Sequence, residues 1–119
     1  MDEVIDAVTV SVAWLDAANG RTDAELTLRI LKVTEEAGEA AGAWIGVLGT
    51  NPRKGITHSR DDVAAELADV VITALVAMQS LGANVHTVLQ DCATKVLSRM
   101  VVPTSDGGLA EPGGMVRPT

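Results

Sequence analysis

This sequence is poor in several residue types, and each shortage excludes a class of protein. It contains no Phe or Tyr, and Trp14 and Trp44 are its only large aromatic residues, so few side chains could stack on a nucleobase. The single cysteine, Cys92, excludes an intramolecular disulfide, and no basic segment followed by a long apolar run marks a signal peptide. We therefore expect a cytoplasmic protein in which Cys92 is a small core residue.

Positive charge is also scarce. Nine Lys and Arg residues stand against 16 Asp and Glu residues, which gives a formal net charge of -7 and a pI of about 4.6. Because nucleic-acid binders and proteins of anionic membranes recruit their partners with basic surface, we expect neither partner. The longest apolar stretch, residues 70–78 with Thr73 inside it, is far shorter than the roughly 20 residues of a membrane helix and predicts a buried helix.

Four segments are predicted to be helices, and the sequence marks where they begin and end. They cover residues 2–18, 22–48, 59–81 and 85–100. Thr22 with Glu25, and Ser59 with Asp62, have the spacing of a capping box at the start of the second and third helices. Residues 8–14 also alternate as a half-buried strand would, but no second strand is available to pair with it.

These elements predict an all-α, four-helix domain over residues 1–102, because a chain of 119 residues suits one domain. Residues 103–119 are rich in Gly and Pro and carry little apolar surface, so we expect a flexible C-terminal tail, disordered or lying on a neighbouring chain.

Two acidic pairs lie inside the two most apolar stretches. Glu36 with Glu39, and Glu66 with Asp69, are each three residues apart, so each pair shares one face of its helix. If the two helices pack antiparallel, four carboxylates converge, and their repulsion would be severe without cations. Ligands that are all oxygen favour Mg²⁺ or Mn²⁺ over zinc, and the Glu-x-x-His motif of di-iron bundles is missing.

The alternative is that these acids form a solvated helix face, paired with Lys32 or Arg29. This interpretation fits the third helix badly, because apolar residues surround Glu66 and Asp69 on nearly every side. A cation site is therefore the preferred interpretation of the acids.

Glycines recur at every fourth position of the second helix, although each costs on the order of 1 kcal/mol relative to Ala. They are Gly38, Gly42 and Gly46. Such a stripe predicts the close approach of a second helix or of a ligand.

Two motifs together resemble a known family. LKVTEEAGEA, residues 31–40, is followed by ELADVVITAL, residues 66–75, and this order resembles the EExxE…ExxD signature of the MazG-like, all-α nucleoside triphosphate pyrophosphohydrolases. The resemblance extends over roughly residues 1–100 and includes the basic loop NPRKG. It implies hydrolysis of a nucleoside triphosphate between the α and β phosphates, with Mg²⁺ as cofactor and Mn²⁺ as a possible substitute.

The resemblance also implies roles for the acidic residues. Glu36, Glu39, Glu66 and Asp69 would be the metal ligands, and Glu35 would hold a further metal or orient the attacking water. Clustered divalent ions suit this chemistry, because they activate water and neutralise charge that develops on phosphates.

The sequence also contains candidate residues for contacts with the substrate. Lys95 and Arg99 occupy the region where the family places phosphate-binding basic residues, although Asp91 gives Lys95 the alternative of an i,i+4 salt bridge. Lys54 in the basic loop is a weaker phosphate candidate. Trp44 could stack on the base, but its position suits core packing equally well.

We further expect a homodimer or homotetramer, because the third helix is apolar on nearly all sides and needs a partner to cover it. Two alternatives stay open. One is a non-catalytic helical oligomerisation module whose acids bind a structural cation or a basic partner; the other is a related phosphoribosyl-ATP pyrophosphohydrolase.

Overall fold

The computed structural model describes residues 2–100, 102–103 and 109–110, and these are mainly helical. The helices are α1 (Asp2–Asn19), α2 (Asp23–Leu48), α3 (Arg60–Ser80) and α4 (Val85–Ser98). Two short strands, β1 (Val102–Pro103) and β2 (Leu109–Ala110), pair antiparallel. The all-α, four-helix prediction is confirmed, and the strand alternative for residues 8–14 is wrong because that segment lies inside α1.

The chain divides into two units, residues 1–83 and 84–119. The first contains α1, α2 and α3, and the second begins with α4. Most of the predicted tail at 103–119 lies outside the described residues, apart from Pro103 and β2.

Side-chain caps explain where α2 and α3 begin. Ser59 and Asp62 form the full predicted capping box, with the Ser59 N–H donating to Asp62 Oδ2 at 2.8 Å and the Asp62 N–H donating to Ser59 Oγ at 3.2 Å. At α2, Thr22 Oγ1 accepts from the Glu25 N–H at 3.2 Å. The reciprocal bond is replaced, because the Glu25 carboxylate accepts from Arg29 instead.

In the first unit, α3 packs against both α1 and α2. The buried apolar side chains of this unit are small or medium in size: Val8, Val12, Ala40, Ala43, Leu75, Val76 and Ala77. Helices α2 and α3 run antiparallel, since Arg29 near the start of α2 contacts Ser80 at the end of α3, whereas Glu39 lies beside Glu66. This arrangement places the two acidic segments side by side, as the antiparallel hypothesis required.

Helix α3 is only partly buried. The prediction of a buried helix at residues 70–78 is confirmed for Leu75, Val76 and Ala77 and is wrong for Val71, which is 55% exposed. Leu67, which precedes this stretch, is 51% exposed. By length and composition alone α3 could cross a membrane, a test that core helices of soluble proteins also pass. In the second unit Cys92 is exposed, so its assignment to the core is wrong.

Candidate metal centre

Three carboxylates converge where α2 and α3 lie side by side. One oxygen each from Glu36, Glu39 and Glu66 lies within 4.8 Å of the other two. The three-residue spacing puts Glu36 and Glu39 on one face of α2, and the antiparallel packing of α3 brings Glu66 to the same level. We call these three residues the carboxylate cluster.

Among the residues that the structure describes, the cluster has one positively charged neighbour. Lys32 Nζ lies 3.3 Å from Glu35 Oε1 and 3.6 Å from Glu36 Oε1, and the Lys32 side chain is about half exposed. The hydrogen bond that Lys32 donates to Glu35 is the main reason that the pKa of Lys32 is raised, and the charge of Glu35 raises it further. The Glu35 side chain is 59% exposed. Glu36 pairs with Lys32, as the solvated-face interpretation expected, but its side chain is only 14% exposed.

Glu66 has a buried carboxylate oxygen that forms no hydrogen bond with the described residues. Its Oε2 is buried and has no hydrogen-bond partner. Buried acceptors are almost always satisfied, and leaving one without a partner costs about 1–3 kcal/mol, more when the group is charged. A cation bound between the helices would remove this penalty.

Repulsion within the cluster is visible at Glu39. The neighbouring Glu36 carboxylate raises the pKa of Glu39 above its ordinary value, and loss of hydration and the charges of Glu66 and Glu35 raise it further. Within the described residues, four carboxylates thus face one ammonium group, that of Lys32. The local excess of negative charge favours any ligand that brings positive charge.

Asp69, the fourth predicted metal ligand, does not join the group that the structure brings together. It follows Glu66 by one turn of α3 and is exposed. The three-residue step rotates its position by about 60° around the helix axis, which turns Asp69 toward solvent. The sequence pattern cannot show which member of an acidic pair faces the neighbouring helix.

A cavity of about 410 Å³ lies beside the cluster, between α1, α2 and α3. Lys32 belongs to both places, because it lines this cavity and contacts Glu36. The other lining residues combine apolar and polar side chains: Ser11, Leu15, Asn19, Glu25, Leu28, Arg29, Ile72, Thr73 and Val76. The sequence alone does not predict this cavity, because its lining residues come from three helices.

Arg29 forms a second charged group at the end of this cavity. It is 5% exposed and donates to Glu25 Oε2 at 2.7 Å, Asp16 Oδ1 at 2.7 Å, the Gly20 carbonyl at 3.0 Å and Ser80 Oγ at 3.1 Å. Arg29 therefore does not neutralise the carboxylate cluster, contrary to the solvated-face interpretation. The i,i+4 spacing of Glu25 and Arg29 was the available signal for part of this network.

The residues predicted to contact the substrate lie in different parts of the structure. The Arg60 guanidinium covers the Trp44 ring at 5.1 Å from its centroid, and Trp44 is 37% exposed, so one ring face is already occupied. Lys54 lies exposed in the loop between α2 and α3. Lys95 is in the last turn of α4 and Arg99 is its C-cap; both belong to the second unit, and their phosphate role stays a prediction.

The glycine stripe has one close neighbour along its length. A Cβ atom at Gly46 would lie 2.2 Å from His58 Nδ1 and 2.5 Å from Thr57 Oγ1, whereas Gly38 and Gly42 have open space. The close approach is thus made by the loop that follows α2.

Comparison of this chain with protein-family models, with curated proteins and with solved structures finds no match. The MazG-like resemblance stays a prediction from the two motifs, and the case for a function rests on the geometry of the site.

Proposed function

We propose that this protein hydrolyses a nucleoside triphosphate to a monophosphate and pyrophosphate, with Mg²⁺ bound by Glu36, Glu39 and Glu66. The observation that carries the proposal is the convergence of three carboxylates between α2 and α3, with one buried Glu66 oxygen that has no partner. Surface acids that are merely solvated do not leave a buried oxygen unsatisfied.

The donor set fits a hard divalent ion. Every ligand atom is a carboxylate oxygen, as Mg²⁺ and Mn²⁺ prefer, and the cluster contains no His or Cys to favour zinc. When bound, such an ion would polarise a phosphoryl oxygen and lower the pKa of water. Asp69, one turn from Glu66, is the proposed additional ligand on the basis of the resemblance.

The adjacent cavity is suited to the nucleoside. Its volume of about 410 Å³ lies within the range of small-molecule sites, which are mostly apolar with a few fixed polar groups. Here Leu15, Ile72 and Val76 supply the apolar walls. Ser11 and Thr73 offer hydroxyl groups to a base or ribose.

The reaction forms a bond between a water oxygen and the α-phosphorus. The bond from the α-phosphorus to the bridging oxygen breaks, and its electron pair leaves with pyrophosphate. One water proton passes to a carboxylate, and Glu35 is the proposed group because it is solvent-exposed at the edge of the cluster. Lys32 holds Glu35 in place through their ion pair.

We also propose that the protein is a homodimer or homotetramer. Large apolar side chains stay exposed on the first unit, among them Leu28, Leu31, Leu67 and Val71. A second copy packed on these residues would remove them from water, which is the main driving force for association.

The test is a panel of canonical and modified triphosphates incubated with Mg²⁺, with pyrophosphate release as the readout. We expect turnover by the natural sequence and a loss of at least about 100-fold in Glu39→Gln and Asp69→Asn, because each removes the charge of a proposed metal ligand. Asp61→Asn is the matched control: Asp61 is an exposed acid in the first turn of α3, outside the cluster.

The outcomes separate the competing functions. Helical content should be equal in all variants by circular dichroism. No turnover of any triphosphate, together with no thermal stabilisation by Mn²⁺, would favour the non-catalytic module. Turnover of phosphoribosyl-ATP alone, identified from its products, would reassign the substrate.

A further inference from the structure

A second cavity, of about 230 Å³, lies between the C-terminal part of α2 and the loop of residues 49–59. Its lining includes the backbone of Gly42 and Gly46 and the polar side chains of Lys54, Thr57 and His58. Among these lining residues the one permanently charged group is the Lys54 ammonium. We call this space the loop cavity.

The loop cavity lies in the basic part of an acidic chain. No Asp or Glu occurs between Glu39 and Asp61, while Arg53, Lys54 and Arg60 fall in this interval. Lys54 has no carboxylate partner among the described residues, where the basic members of the ion pairs are Arg21, Arg29 and Lys32. An unpaired ammonium beside a cavity is suited to an anionic ligand.

The loop is fixed against α2 by its backbone. The Thr57 N–H donates to the Gly46 carbonyl at 2.9 Å, and the N–H groups of Lys54 and Gly55 both donate to the Asn51 carbonyl. Gly46 permits this approach because any Cβ there would collide with His58 and Thr57. The cavity therefore exists before a ligand arrives, which reduces the cost of binding.

Its position follows that of the carboxylate cluster along α2. Gly42 comes three residues after Glu39, about 4.5 Å further along the helix axis. Gly46 lies about 10 Å beyond Glu39 and only about 20° around the axis from it. Reading along α2, the proposed nucleoside cavity, the carboxylate cluster and the loop cavity follow one another on one side of the helix.

We propose that the loop cavity receives the terminal phosphates of the substrate and holds pyrophosphate after cleavage, with Lys54 as its cationic contact. This inference rests on the proposed function. When the bond to the α-phosphorus breaks, the electron pair remains on the departing oxygen, so negative charge develops on the side of the leaving group. An ammonium on that side stabilises this charge.

The experiment measures pyrophosphate affinity by titration calorimetry in the presence of Mg²⁺. We expect Lys54→Gln to weaken binding about tenfold, as expected for the loss of one charge-assisted hydrogen bond. Arg53→Gln is the matched control, because it removes the same charge from the neighbouring residue, which does not line the cavity. It should bind pyrophosphate as the natural sequence does.

A second pair of variants tests the cavity without changing charge. Gly42→Ala adds a methyl group where the structure has open space, so the fold tolerates it, but the methyl occupies part of the loop cavity. Gly38→Ala adds the same group one turn earlier, also into open space and outside the cavity. Pyrophosphate binding should weaken in Gly42→Ala only, and Mn²⁺ binding should be unchanged in both.

The outcomes distinguish this inference from the function on which it rests. If the natural sequence releases pyrophosphate but Lys54→Gln binds it normally, or if both charge variants weaken equally, the loop cavity is not the leaving-group site. If nothing is hydrolysed yet pyrophosphate binding depends on Lys54, the proposed function is wrong and its leaving-group role with it, while an anion site remains.

Discussion

Helix α2 carries two clusters of charged residues about two turns apart, and they differ in how their charges balance. Around Arg29, the acids Asp16 and Glu25 are matched by Arg29 and Arg21, and Arg29 donates to partners from three parts of the first unit. In the carboxylate cluster, Lys32 is the one basic residue within the described part of the chain that pairs with the acids. The positive and negative charges of the first cluster balance. In the second cluster the acids outnumber the basic group, so a bound cation would be stabilised there.

The pKa values of acidic groups shift in opposite directions in the two clusters. Hydrogen bonding to Arg29 lowers the pKa of Asp16, whereas the Glu36 carboxylate raises the pKa of Glu39. Opposite pKa shifts in two neighbouring groups of charged residues, with Asp16 on α1 and Glu39 on α2, are typical of a structural ion pair beside a functional site. The Arg29 network should therefore maintain the fold, and the cluster should bind a ligand at some cost to stability.

Arg29→Met gives the largest expected effect. It leaves the Glu25 carboxylate without its arginine partner and Asp16 with Arg21 alone, in a partly buried place where breaking an ion pair costs about 3 kcal/mol in the free energy of unfolding. Urea denaturation measures this loss. Lys32→Met is the control from the other cluster: the Lys32 side chain is about half exposed and solvent screens its charge, so this loss should be much smaller.

Equal losses in Arg29→Met and Lys32→Met would contradict the contrast between the two clusters. The Arg29 network would then contribute no more than an ordinary surface ion pair.

Glu66→Gln should produce an intermediate effect of opposite sign. It removes a buried carboxylate that has no partner, so the metal-free protein should gain thermal stability, while the stabilisation by Mn²⁺ should disappear. For the natural sequence, Mn²⁺ at 100 times its dissociation constant should add about 2.7 kcal/mol to the free energy of unfolding.

Asp61→Asn, outside the cluster, should keep the full response to Mn²⁺. Stabilisation of Glu66→Gln by Mn²⁺ equal to that of the natural sequence would show that the ion binds elsewhere.

The sequence predicted the helices well because their ends depend on local chemistry. The Ser59–Asp62 capping box is formed by residues three apart, so spacing alone was enough to place the start of α3. The site was predicted only in part. Spacing placed Glu36 beside Glu39, but which of Glu66 and Asp69 faces them depends on the rotation of α3 against α2, which helical periodicity does not determine.

Features built from distant segments could not be predicted. Arg29 reaches Ser80, 51 residues away, and its burial depends on the packing of α3 against α2. The loop cavity likewise depends on the close approach of the chain at Gly46, where the glycine pattern indicated that something approaches but not what.

The smallest expected effect is a difference in pH dependence between the two clusters. Because the pKa of Glu39 is raised above its ordinary value of 4.5, the unfolded chain ionises before the folded one, and stability should fall as pH rises from 4.5 toward the folded pKa. The pKa of Asp16 is lowered below 3.8, so its stabilisation should be lost as pH falls through that lower folded pKa.

Each of these two changes in stability with pH can be assigned to its carboxylate by one substitution. Glu39→Gln should remove the decline above pH 4.5, and Asp16→Asn should remove the dependence below pH 3.8, as read from urea denaturation of the metal-free protein at each pH. A decline above pH 4.5 that persists in Glu39→Gln would show that repulsion in the cluster is not its source. In the natural sequence, saturating Mn²⁺ should turn the decline in stability at higher pH into an increase, because the ion binds the ionised carboxylates and stabilises the folded state.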